Sequence, residues 1–370
     1  MPFPTAQSPS PSHGLAGRVP AGADPAFPSL LDPSRFVPAQ LPADLAPRLV
    51  TLVDAEEGFD WSRPFSRTAT DVSSMRTQWR AHLIFERHGV VPTYLVNHPV
   101  AENSDGYQPL QELLREGACE VGAHLHPWVN PPFAEPLTRY HSFAGNLPPD
   151  LEIEKLEALT QLIGDRFGTR PVVYRAGRYG VGRHSGEALV RLGYRVDTSI
   201  APFRDFRREG GPAFFGYPTE PTWTDSSRRL MELPLTSAVI GPLQRRQRWM
   251  PHLFGWRAER AGLPSLLRRL GLVERIKLTP EGIRLEEAIR LVRTLHRHGQ
   301  RVFVLSYHSP SLAPGAMPYV RTEEDLQHFL GWLDGFYRFF ATELSGRPAT
   351  ARQIHDMALA EAMPERRLAG

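Results

Sequence analysis

The sequence predicts an α/β fold whose parallel strands curl into a barrel. Short β-branched runs alternate with segments of helical period, and ionisable residues gather at the carboxyl ends of several runs. No internal repeat is present, and YRAGRYGVG (174–182) lacks the glycine spacing and the lysine of a phosphate loop. An open doubly wound sheet would satisfy the same alternation. The strand-end placement of Asp54, Glu56, His124, His126, Arg175 and His308 favours the barrel, where sites are assembled from the ends of different strands.

Taken in order, residues 1–46 are rich in Pro, Ala and Ser and have no sustained hydrophobic period, so a flexible tail is expected there. One barrel domain is expected over 47–360, with a short C-terminal tail at 361–370. LVTLVDAEE (49–57) reads as a strand ending in acids. SSMRTQWRAHLIFERHG (73–89) follows as an amphipathic helix whose apolar face is Met75, Trp79, Leu83 and Phe85, stopped by Gly89. The pattern repeats in VVPTYLVNHPV with YQPLQELLREG (90–117), then in ACEVGAHLHPW (118–128) with LEIEKLEALTQLIGDRFG (151–168) beyond a Pro-rich loop. VVYRAGRYGVG with HSGEALVRLG (172–193), YRVDTSIAP (194–202) and RLMELPLTSAV (229–239) supply further strands and a helix. EEAIRLVRTLHRHG, RVFVLSYHSP and the helix TEEDLQHFLGWLDGFYRFFATEL complete the series, giving about seven strands.

Composition narrows the function. The chain has 370 residues, 41% of them apolar, enough for one substantial core. A formal net charge of +3 does not make the field of a dedicated nucleic-acid binder, and no reader motif is present, so no nucleic-acid partner is expected. Cys119 is the only cysteine, which excludes an intrachain disulfide framework and a Cys-x-x-Cys zinc cluster. The N-terminus shows no secretory pattern and no apolar run reaches the roughly 18 residues of a span, so a cytoplasmic protein is expected. Residues 243–278 hold nine Lys/Arg against two Glu, interleaved with Trp and Leu. This basic amphipathic insertion could lie on an anionic membrane surface, making the protein peripheral to the membrane, grip an anionic or lipid-linked glycan, form a lid, or simply cover the barrel with a solvated helical face.

Side chains two apart on a strand share a face, so His124 and His126 point together, as do Asp54 and Glu56. Two imidazoles and a carboxylate suit a divalent metal, zinc above all, which at catalytic sites takes three protein ligands and keeps a position open. Alternation favours Glu56 over Glu57 as the carboxylate ligand.

Four motifs in order resemble those of the polysaccharide deacetylase (NodB-homology, carbohydrate esterase family four) proteins: TLVDAEE, EVGAHLHP, YRAGRYG and VLSYHS, within about residues 48–358. The resemblance implies a distorted (β/α)7 barrel, a divalent metal and removal of N-acetyl groups from amino sugars. It also implies Asp54 as catalytic base, Glu56, His124 and His126 as metal ligands, Arg175 as the residue orienting the base, and His308 as general acid. Three departures stand out. The histidines are separated by Leu125 alone where the family usually has three residues, Ala55 replaces an Asp, and Gly177 stands where the family often has Pro.

Aromatic and polar residues near strand ends are candidates for sugar contact: Trp61, Trp128, Tyr179, Asp197 and Trp223. The reading that follows is metal-dependent hydrolysis of an amide C–N bond, as N-deacetylation of an amino sugar in a surface-polysaccharide or lipid-linked glycan precursor. Hydrolysis of a small cyclic amide or ureide, and glycan binding without catalysis, are the alternatives.

Overall fold

The computed structural model describes residues 27–58, 63–242 and 250–362. Its strands are β1 (Val37–Pro38), β2 (Arg48–Ala55), β3 (Thr93–Val96), β4 (Glu120–Leu125), β5 (Val173–Ala176), β6 (Val196–Asp197), β7 (Thr222–Trp223), β8 (Met231–Glu232), β9 (Ser237–Ile240), β10 (Glu274–Lys277), β11 (Val302–His308) and β12 (Arg347–Ala349). Those in the order β8-β6-β5-β4-β3-β2-β11 run parallel and make the barrel wall. In β2, Leu49, Val50, Leu52 and Val53 are all buried, as expected of a strand covered on both faces.

The wall closes without a continuous ladder. Past β8 the chain reaches Thr236, whose hydroxyl accepts from the Val304 amide of β11 at 2.8 Å. The Leu278 amide donates to the Thr236 carbonyl at 2.8 Å, and the Ser306 amide donates to the Leu278 carbonyl at 3.3 Å. Single bridges of this kind, with β9 and β10 paired antiparallel outside the wall, give the distorted barrel that the sequence predicts.

Helices pack outside, among them Trp79–His88, Pro149–Phe167, Leu285–Arg297 and Glu323–Leu344. Gly89 adopts a left-handed φ of 63° and ends the first of these where expected. Its buried face differs from the expected one. Ala81, Ile84 and Phe85 turn inward while Trp79 and Leu83 are 57% and 56% exposed, because the helix proper begins only at Trp79, after a 3-10 turn over Ser73–Thr77 that buries Met75.

Two other expectations need correction. Of the proposed flexible tail, residues 27–46 are packed: Leu30 is fully buried, and Val37 and Pro38 pair with Trp223 and Thr222 as an antiparallel extension of the sheet. Few apolar residues suffice there because the partner surface comes from the barrel. The basic segment 243–278 is not one amphipathic element. It holds the short helices Met250–Phe254, Trp256–Arg260 and Leu263–Arg269 and then β10. These helices bury Met250, Phe254 and Leu267 against Val239 and Val273 in a small second core. Residues 243–249 of that segment, and residues 1–26 and 363–370 of the expected tails, lie outside the described residues.

Candidate functional site

Parallel register brings the predicted residues together. His308 stands beside Asp54 across β11 and β2, and His124 stands beside Arg175 across β4 and β5. All lie at carboxyl ends of strands.

Glu56 follows β2 and places Oε2 3.5 Å from His124 Nε2 and 3.3 Å from His126 Nε2. One potential ligand atom from each of the three residues lies within 4.8 Å of the others, and all three side chains are buried. The opposite ring nitrogens are engaged. His124 Nδ1 is 3.0 Å from the Arg175 carbonyl oxygen, and His126 Nδ1 is 3.1 Å from each Glu57 oxygen. Carbonyl and carboxylate oxygens only accept, so both Nδ1 atoms carry hydrogen and both Nε2 atoms face Glu56. Metal-binding histidines are typically oriented in this way. The structure thereby separates the two glutamates: Glu56 shares the Nε2 side, and Glu57 is a support. Glu57 also accepts from the Trp128 indole at 3.0 Å and from the Asn97 side chain. Sequence reasoning missed Asn97, whose only signal is its place just past β3.

The electrostatics suit a cation. Burial opposes charge on Glu56, but His308, His124 and His126 hold its carboxyl below the usual range. Burial likewise opposes charge on His126, and Glu57 and Glu56 overcome it, raising the imidazole to about 10. Surroundings negative enough to draw a proton onto a buried ring would also draw a metal ion.

Asp54 and Arg175 form a buried ion pair, with Arg175 Nη1 2.5 Å from Asp54 Oδ1. The same nitrogen donates to Ser306 Oγ at 2.6 Å, and Arg175 Nε donates to Thr198 Oγ1 at 3.1 Å, so the guanidinium is fixed from three strand ends. Asp54 Oδ2 lies 3.8 Å from His308 Nε2. His308 Nδ1 is 2.8 Å and 3.0 Å from the oxygens of Glu281, which also accepts from the His308 amide and from Ser311. Burial works against charge on His308, but Glu281, Glu56 and Asp54 outweigh it and raise the ring to about 10. Glu281 was not legible in the sequence, because it sits in the turn TPEG beyond β10 with no motif around it.

The sugar-contact candidates divide. Tyr179, with a left-handed φ of 60°, stands at the site with its ring 6.0 Å from the Arg175 guanidinium carbon. Trp128 is 1% exposed and stacks under His126 at 4.3 Å, so it supports the imidazole rather than presenting a face to a ligand. Asp197 is fully buried, accepting from Ser199, and Trp223 is buried against His355 at the far edge of the sheet; neither reaches the mouth. Asp197 is level with Tyr174 and faces opposite to Thr198, which reaches Arg175, while Trp223 lies on β7, antiparallel and outside the parallel wall. Trp61 lies outside the described residues.

Beneath the loop after His126, Lys155 is fully buried. Its ammonium donates to the carbonyls of Pro127 at 3.1 Å and Asn130 at 2.6 Å and pairs with Glu135 at 3.1 Å.

No family model and no curated protein matches the sequence. Solved structures do. A protein assigned as a polysaccharide deacetylase from Mycobacterium smegmatis aligns with a TM-score of 0.51 at 18% identity, over 88% of this chain and 94% of that one. Another so assigned, from Pseudomonas aeruginosa PAO1, has a TM-score of 0.47 at 14% identity, over 85% and 92%. The first likeness shows a shared fold, the distorted barrel that the four motifs imply.

Proposed function

We propose that this protein hydrolyses the amide of an N-acetylated amino sugar, using a divalent metal, zinc, held by Glu56, His124 and His126. The observation that carries this reading is the pair of imidazoles whose Nδ1 atoms are both spent on acceptors while their Nε2 atoms converge on one carboxylate. A metal held there would supply Lewis-acid charge to the amide carbonyl and its oxyanion.

The remaining steps belong to the chain's own residues. Asp54 has one oxygen committed to Arg175 and the other facing the site, so it can accept a proton from the attacking water in a fixed orientation. His308, kept protonated by Glu281, can return a proton to the departing amine nitrogen. Tyr179, half-buried beside Arg175, would contact the sugar.

A lipid-linked glycan precursor, handled at an anionic membrane surface from the cytoplasmic side, remains part of this reading. It is supported by Leu266 and Leu270, 53% and 61% exposed beside Arg269 in the helical insertion. No helix among the described residues is long and apolar enough to cross a membrane.

The test is acetate release from a panel of N-acetylated sugars and glycan oligomers by zinc-loaded protein, with a cyclic ureide as a separate arm. Asp54→Asn should lower the rate about 10²- to 10⁴-fold, the range of a lost general base. Ureide cleavage without acetate release, or acetate release untouched by Asp54→Asn, would overturn the proposal.

A further inference from the structure

The acids at the centre of the site would repel an anionic sugar, yet on the His308 side a cation stands close by: Lys277 precedes Leu278, whose carbonyl accepts from the Ser306 amide of β11. Lys277 ends β10, half-buried, and Glu281 and Asp54 are its acidic neighbours. Glu281 is already committed to His308 and Ser311 and makes no hydrogen bond to Lys277. Arg204, exposed, stacks its guanidinium 5.2 Å from the Phe206 ring, which in turn lies 5.9 Å from the Tyr179 ring. Lys277 is paired with Ser237, whose hydroxyl donates to the Pro202 carbonyl at 2.9 Å, and Arg275 donates to the Phe203 carbonyl at 2.9 Å, so the end of β10 lies against the segment that carries Arg204.

Arg275 does not share their state, since it pairs with Glu259 at 2.8 Å and donates to the Phe203 carbonyl. Among the described residues, neither Arg204 nor Lys277 has a hydrogen bond or ion pair through its side chain. Holding an ammonium half-buried beside two arginines without a bonded partner is costly, and burial, the leading influence, shifts Lys277 downward. An anion arriving between the two cations would relieve that cost.

We infer that Arg204 and Lys277 form a subsite for an anionic substituent of the sugar, a carboxylate or a phosphate, beside the amide to be cleaved. This rests on the deacetylase reading for what lies next to the subsite, but its readout does not depend on catalysis.

The experiment is calorimetric titration of the full chain with glucuronate, glucose 1-phosphate and glucose. The anionic sugars should bind more tightly than glucose. Arg204→Ala and Lys277→Ala should each reduce that preference roughly tenfold or more, the worth of a charge-assisted contact, while Lys277→Arg retains it. The two anionic arms distinguish a carboxylate from a phosphate. Anionic sugars that fail to bind, or bind no better than glucose, or keep their preference in both alanine variants, overturn the subsite. Anion preference without acetate release from any N-acetylated sugar would instead overturn the deacetylase reading and leave the subsite standing.

Discussion

A Cβ placed on Gly177 would stand 2.6 Å from Cδ2 of the His126 ring and 2.6 Å from the Leu125 carbonyl oxygen. The single residue between the histidines and the glycine at 177, both departures from the motifs that the sequence resembles, therefore meet in one contact. The shortened spacing seats the second imidazole where a residue at position 177 would otherwise have its side chain. Gly177→Ala should push His126 off Glu56 and weaken zinc binding about 10- to 100-fold, measured by competition with a chelating dye. Unchanged affinity would show that the contact yields freely.

Glu57 fixes His126 from behind through the bond to Nδ1 at 3.1 Å. Glu57→Gln keeps the shape but can turn its amide nitrogen toward Nδ1, which removes the constraint on the ring. The same dye competition should report a loss of about 10- to 100-fold in metal affinity. If Glu56→Gln had no effect while Glu57→Gln abolished binding, the roles of the two glutamates would be reversed.

Under the proposed mechanism, the Glu281 contact with His308 should set the alkaline limb of activity. His308 is raised to about 10, so its imidazolium persists below that pH and is lost as pH rises through it. Replacing Glu281 with Gln removes the largest influence that raises the ring. The alkaline limb of kcat/KM should then move down by about one to three units, toward the ordinary histidine range. A limb that stays in place in Glu281→Gln would remove His308 as the proton donor.

Lys155 is expected to matter for stability. Lys155→Met would leave Glu135 buried without its cation and free the Pro127 and Asn130 carbonyls. Removing one member of a buried pair costs about 3–5 kcal/mol, which urea denaturation would register as a lower midpoint with little change in slope. A midpoint equal to wild type would mean that the loop relaxes to solvate Glu135.

The strand-end residues were legible because parallel strands impose a rule: their carboxyl ends share one rim, so Asp54, His124, Arg175 and His308 had to meet if the runs were strands. Glu281 and Asn97 were not, since each owes its role to a turn whose direction is fixed only by packing. Asp197 and Trp223 misled for the opposite reason. A polar or aromatic residue at a strand end serves the site only if it faces inward on the parallel wall: Asp197 faces opposite to Thr198, and β7 runs antiparallel outside the wall. Residues 27–46 packed despite their composition because one fully buried leucine and one strand pair dock them on surface supplied elsewhere.

The central claim is that Glu56, His124 and His126 hold a catalytic metal. Metal analysis of wild type, Glu56→Ala, His124→Ala and His126→Ala after zinc loading and desalting tests it most directly. The account predicts about one zinc per wild-type chain and a large loss in each variant, with folding intact by circular dichroism. Wild type that retains no zinc, or variants that retain as much as wild type, would contradict it.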